Sequence, residues 1–199
     1  MKTVIFIPGL WMYSYSTLFL RRGVKRCGFD VHRFAYGSIL NSWQENIELL
    51  HQFVSGFDRP VVLVGHSLGG LLSAETVKQF PELNIEQIIM LGSPIAGSKA
   101  GRVLAKWKLG RRMMGGSAGI LHHGIQQLPD AVPVKMIAGE SRRGAGCLLT
   151  DLPAPHDGTV AVEETRIDGL AEHVILPVNH TSMLLSNAVV RMICSFLRD

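Results

Sequence analysis

The stretch VVLVGHSLGGLLSAE, residues 61–75, constrains the fold of this chain more than any other. The apolar run Val61–Val64 stops at Gly65-His66-Ser67-Leu68-Gly69, and Gly70 follows before a helix-like sequence resumes. A strand buried on both faces reads as a continuous apolar run of this kind. Glycines around a serine remove the Cβ atoms that would keep a strand and the next helix apart. In this setting G-x-S-x-G describes a strand-to-helix turn that holds its serine in a strained conformation at the top of a sheet. The alternative is a tight turn without chemistry.

Other short apolar runs repeat the pattern. Strands are expected at 3–7, 30–36, 61–64, 87–91, 134–138 and 173–178, with helix-like segments between them. That alternation predicts an α/β fold: a mostly parallel sheet of about six strands with helices on both faces. Ser42 and Glu45 make a capping-box pattern, and Trp43, Ile47, Leu50, Val54 and Phe57 recur on one face, so a helix is expected over 42–57. Leu185, Val189, Met192 and Phe196 predict a last helix over 182–197. At 199 residues, 47% of them hydrophobic, the chain reads as a single domain, 1–199, with a sizeable core.

Residues 97–128 fit this rhythm poorly. They hold six Lys or Arg, no Asp or Glu, several glycines, and Trp107 with Met113 and Met114. The segment reads either as an excursion (a lid or a surface-binding loop) or as a crossover helix with a loose end. Its charge suits an anionic membrane surface or an anionic acyl carrier, unless it is only a solvated face. The formal charge of the whole chain is +4, and aromatic residues are not interleaved along the basic segment, so nucleic acid is not an expected partner.

Three cysteines, Cys27, Cys147 and Cys194, are odd in number and lack metal-ligand spacing. They predict free thiols in a reducing compartment, hence a cytoplasmic protein with peripheral membrane contact as an option. Residues 3–20 carry no charge and follow Lys2, but Pro8-Gly9 interrupts them and no small-x-small site follows. Neither a signal peptide nor a spanning helix is expected there. The oligomeric state is left open.

A serine is a weak nucleophile until an imidazole takes its proton, so a histidine must converge on Ser67. Of the eight histidines, His180 in PVNHTSM is the candidate base, because it follows the strand HVILPV at the same sheet edge. His66 is expected to point away from Ser67 as a structural residue. His156 neighbours the acid loop, and His122-His123 are expected to touch substrate, solvent or one another. Asp157 in HDGTV, after the strand VKMIA, is the candidate acid, with Asp151 as its competitor; Asp130 lies at the wrong strand end. The amide of Leu68, opening a helix, and that of Leu10, after Pro8-Gly9, are the expected oxyanion donors, with Trp11 as runner-up. Trp11, Met12 and Tyr13 are candidates for an apolar acyl site, or else ordinary packing.

IPGLW, VVLVGHSLGGLLSAE, MLGSPIAGS, HDGTV and VNHTSM together resemble the α/β-hydrolase superfamily across nearly the full chain. Within it they are similar to small lipases and esterases and to the lipase-like domain of inositol deacylases. The resemblance implies a minimal α/β-hydrolase fold, in which these motifs supply the oxyanion loop, the nucleophile turn, a G-S-P-x-x-G-S segment after the next strand, and the acid and base loops. The order Ser67, Asp157, His180 is the one such folds use. Pro8-Gly9 stands where the family often has His-Gly, a change a backbone donor survives. The chain begins at the family's third strand, which implies a compact member. The implied activity is serine-dependent hydrolysis of a carboxylic ester with an apolar acyl chain, needing no metal or organic cofactor. Thioesterase or acyltransferase chemistry uses the same parts, and a non-catalytic binding protein would keep only the fold.

Overall fold

The computed structural model describes residues 1–142 and 151–199. Among them, six strands form one parallel sheet: β1 (Thr3–Ile7), β2 (Asp30–Arg33), β3 (Val61–His66), β4 (Ile85–Leu91), β5 (Val134–Gly139) and β6 (Glu172–Leu176), ordered β2-β1-β3-β4-β5-β6. Every residue of β1 and β3 is buried, which accounts for their unbroken apolar runs. Alternate residues of β1 feed two cores. Val4 and Phe6 pack with Leu20 and Val24 of α1 (Leu18–Arg26) and with Val189 and Ile193 of α7 (Asn187–Phe196). Ile5 and Ile7 pack with α2 (Trp43–Ser55) and α3 (Leu68–Gln79) on the opposite face.

Element ends differ from the sequence reading in ways the chemistry explains. The expected strand 30–36 stops at Arg33, the partner of Phe6; the Phe34 amide still donates to the Phe6 carbonyl at 2.9 Å, and β1 itself ends at Ile7. Ser42 caps α2 with its hydroxyl while Glu45 returns to the Ser42 amide, the capping box the sequence predicts. The last helix begins at Asn187, not 182. Ser182–Leu185 form a 3-10 turn, Ser186 is extended and its hydroxyl accepts from the Val189 amide, and Leu185 is exposed rather than part of the apolar stripe.

The β4–β5 crossover carries the basic segment as three short helices, α4 (Lys99–Ala105), α5 (Lys108–Met114) and α6 (Ala118–His123), with a 3-10 turn at Gly115–Ser117. A Cβ on Gly110 would lie 2.1 Å from the Leu104 carbonyl oxygen, so α4 and α5 meet backbone to backbone.

The cysteine expectation is overturned for two of the three. Cys27, capping α1, and Cys194, on α7, form a disulfide with their Cα atoms 6.5 Å apart. Gly23 brings the two helices close, since a Cβ there would sit 2.7 Å from the Val190 methyls. The partners are 167 residues apart, so no local spacing announces the pair. The basis for a reducing compartment goes with it. Cys147 lies outside the described residues. No described helix is long and apolar enough to cross a membrane.

Candidate active site

The strand order reverses between β1 and β3, and in open α/β sheets the crevice beyond the strand carboxyl ends at such a switch point is where ligands bind. Ser67 lies there, at the end of β3, and the loop after β1 lies beside it. Ser67 has φ 52° and ψ −118°, a conformation that non-glycine residues rarely adopt. The surroundings hold it there. Its amide donates to the Leu91 carbonyl at 2.8 Å, and its carbonyl accepts from the Gly70 amide at 3.1 Å. A Cβ on Gly65 would fall 2.4 Å from the Gly70 nitrogen, and one on Gly69 would fall 2.4 Å from the Ile7 carbonyl oxygen. The glycines are therefore required by backbone crossing backbone.

Asp157 and His180 meet beside the same crevice. His180 Nδ1–H donates to Asp157 Oδ2 at 2.6 Å, and both residues are buried. The other carboxylate oxygen accepts from the Thr159 and Val160 amides at 2.9 and 2.7 Å, and the His180 amide donates to the Asp157 carbonyl at 2.9 Å. With its proton on Nδ1, the imidazole keeps Nε2 as the acceptor. Asp151 and Asp130 are exposed and elsewhere; Asp130 accepts from Gln127. His156 is buried in the acid loop, where its Nδ1 accepts from the Gly158 amide. His122 and His123 contact one another.

Ser67 and His180 line one cavity of about 210 Å³ with Gly9, Leu10, Trp11 and Met12. Leu104, Met114 and Leu121 of the crossover line it as well. Tyr13 is not among the lining residues: it is exposed and stacks on Tyr15 at 5.4 Å. The loop after β1 is pinned from three directions. The Tyr36 hydroxyl donates to the Pro8 carbonyl at 3.0 Å, the Trp11 amide to Ser38 Oγ at 3.3 Å, and Trp11 Nε1 to the Met113 carbonyl at 2.7 Å. Burial keeps the Tyr36 phenol protonated well above its ordinary range. The Trp11 amide, the alternative oxyanion donor expected from the sequence, is taken up by Ser38. Leu68 opens α3, so its amide has no carbonyl one turn earlier in the helix.

Two buried groups carry roles that sequence reasoning missed. His66 does more than fill space. Its Nε2–H donates to the His180 carbonyl at 2.9 Å, its ring lies 4.7 Å from the His180 ring, and it lines the cavity. Burial, then the neighbouring His180, push its imidazole down to about 3, so it stays neutral. Glu164 accepts from the Lys99 amide and, at 2.8 Å, from the Ala161 amide, fastening the start of α4 to the acid loop. Burial raises its carboxyl above the usual range. Neither residue carries a local signal beyond the motifs beside it.

The family model described as the Alpha/beta hydrolase family matches residues 4–190. The chain belongs to the alpha/beta hydrolase family. No curated protein matches it. Among solved structures, the mature Bacillus licheniformis lipase BlEst2 superposes with a TM-score of 0.84 at 17% identity, covering 98% of this chain and 91% of that one. The Paleococcus ferrophilus monoacylglycerol lipase gives 0.70 at 15% identity, over 98% and 93% of the two chains. The metagenomic carboxyl esterase MGS0156 gives 0.66 at 17% identity, over 90% and 64%. At these identities the likeness is one of fold, shared by an alpha/beta hydrolase with lipases and esterases.

Proposed function

We propose that this alpha/beta hydrolase cleaves carboxylic esters carrying an apolar acyl chain, with Ser67 as nucleophile, His180 as base and Asp157 as acid. The observation that carries the reading is the 2.6 Å Asp157–His180 pair, whose His180 lines one cavity with a serine held at positive φ. His180 Nε2 takes the Ser67 proton as the oxygen attacks the acyl carbon, and Asp157 holds the tautomer and stabilises the imidazolium. The amides of Leu68 and Leu10 receive the oxyanion. As the tetrahedral intermediate collapses, His180 returns the proton to the leaving alcohol, leaving an acyl-serine. A water deprotonated by His180 then releases the acid.

Leu104, Met114 and Leu121 make the cavity wall apolar, which favours an aliphatic acyl group, and the crossover 97–128 acts as its roof. Initial rates on matched oxygen esters and thioesters from acetyl to decanoyl, with Ser67→Ala as control, test this. A Ser67-dependent rate on oxygen esters that rises with chain length is the expected result. Thioester preference would redirect the reading to acyl carriers, and Ser67-independent background throughout would end it.

A further inference from the structure

A second cavity, of about 510 Å³, lies on the other side of α4. The helix and its C-cap residue Lys106 divide between them: Ala100, Gly101 and Leu104 line the Ser67 cavity, while Lys99, Arg102 and Lys106 line the second one. The next helices complete the division, with Leu121 on the first cavity and Arg111 and His122 on the second. Four of the six cations of residues 97–128 therefore converge on one hollow, and among the described residues no carboxylate lines it.

Two of these cations are anchored. Lys99 Nζ donates to the Asp151 carbonyl at 2.6 Å. Arg102 donates to the His122 carbonyl at 3.3 Å and lies 3.9 Å from the buried Glu164. Lys106 and Arg111 are exposed and make no ion pair among the described residues. Apart from Arg102, which Glu164 approaches from behind the lining, these guanidinium and ammonium groups face the hollow without a carboxylate and suit the oxygens of a phosphate.

We propose that this cavity binds the phosphate of an acyl donor whose scissile carbonyl lies at Ser67. This rests on the hydrolase reading above. The two cavities are separated by α4, so carbonyl and phosphate must be joined by an arm spanning roughly the 10 Å width of a helix. Acyl phosphates are too short. Phosphorylated thioesters with a long arm carry the required chemistry, whereas the phosphate and ester carbonyl of a phospholipid are only a few bonds apart and fall short of it.

The test uses the full chain as wild type, Ser67→Ala and the double variant Lys106→Ala/Arg111→Ala, both of whose sites are exposed. Inorganic pyrophosphate is titrated into each by calorimetry. Binding to wild type and Ser67→Ala alike, weakened about tenfold or more in the double variant, is expected. Absence of binding to wild type, or equal binding to all three, overturns the site. Hexanoyl-coenzyme A is then compared with hexanoyl-N-acetylcysteamine, and dihexanoyl phosphatidylglycerol with dihexanoylglycerol. A phosphate-dependent preference in kcat/KM for the coenzyme A ester that falls about tenfold in the double variant is expected, and a fall confined to the short-armed lipid pair overturns the long-arm assignment. If neither preference falls, the cavity does not serve the substrate and the proposal fails. Retained pyrophosphate binding with no Ser67-dependent turnover of any substrate would instead defeat the hydrolase reading alone.

Discussion

His66 and His180 are joined by a 2.9 Å hydrogen bond from the imidazole of one to the carbonyl of the other. The residue beside the nucleophile thus holds the loop that carries the base, across 114 positions of sequence. Replacing His66 by Leu leaves a buried carbonyl without its donor, a loss of about 1–3 kcal/mol. His66→Gln keeps an amide donor of similar reach and is expected to recover part of the stability and of kcat. Denaturant unfolding and ester kinetics on the two variants check this; identical losses would mean the bond does not position the base.

The same histidine gives stability a pH dependence of defined sign. Its imidazole titrates at about 3 when folded and at the ordinary 6.5 when unfolded, because burial, followed by His180, opposes the charge, with the His180 carbonyl and Asp157 pulling the other way. Between these values the unfolded chain binds more protons, so stability rises with pH. The contribution is complete above 6.5 and lost as pH falls toward 3. Urea melts from pH 7.5 to 4.5 are expected to slope by up to about 1.4 kcal/mol per pH unit more in wild type than in His66→Gln.

The Cys27–Cys194 bond closes a loop of 167 residues between α1 and α7. Its removal in Cys27→Ala/Cys194→Ala is expected to cost about 2–5 kcal/mol. Thiol titration in denaturant checks the bond itself: reduction should raise the count by two. An unchanged count would show that the two helices pack without the crosslink.

Gly69 is where α3 passes over the loop that presents Leu10. A methyl at this position would meet the Ile7 and Pro8 carbonyl oxygens at 2.4 and 2.6 Å, so Gly69→Ala is expected to cost about 1–3 kcal/mol. By displacing the loop proposed to offer the Leu10 amide to the oxyanion, it should also lower kcat about a hundredfold. Gly119, within α6 and with nothing near its missing Cβ, is the control: alanine there should be neutral or stabilising by up to about 1 kcal/mol.

Much of the architecture was legible because it rests on local chemistry. Buried parallel strands must be apolar on both faces, so β1, β3, β4 and β5 announce themselves, and Ser42 with Glu45 marks the start of α2 from three residues of spacing. Gly65 and Gly69 could be understood from their motif, since a helix can cross a strand that closely only without side chains. What the sequence hid depends on distant contacts. The disulfide joins helices at opposite ends of the chain, and the break at Ser186 pits a side-chain cap against a continuous apolar stripe. The crossover showed its charge but not its sidedness, because a helix as short as α4 gives too few residues to display a period. Tyr13 follows four cavity residues in sequence, Gly9 to Met12, yet turns to Tyr15, a local stacking that apolar clustering did not foretell.

The central claim is that Ser67 is activated by His180, and covalent labelling tests it most directly. A fluorophosphonate probe is incubated with wild type, Ser67→Ala and His180→Ala, and the modified residue is located by peptide mass spectrometry. The account predicts stoichiometric modification at Ser67 in wild type, none in Ser67→Ala, and a rate at least about a hundredfold lower in His180→Ala. Labelling that is absent from wild type, or equally fast without His180, would contradict it.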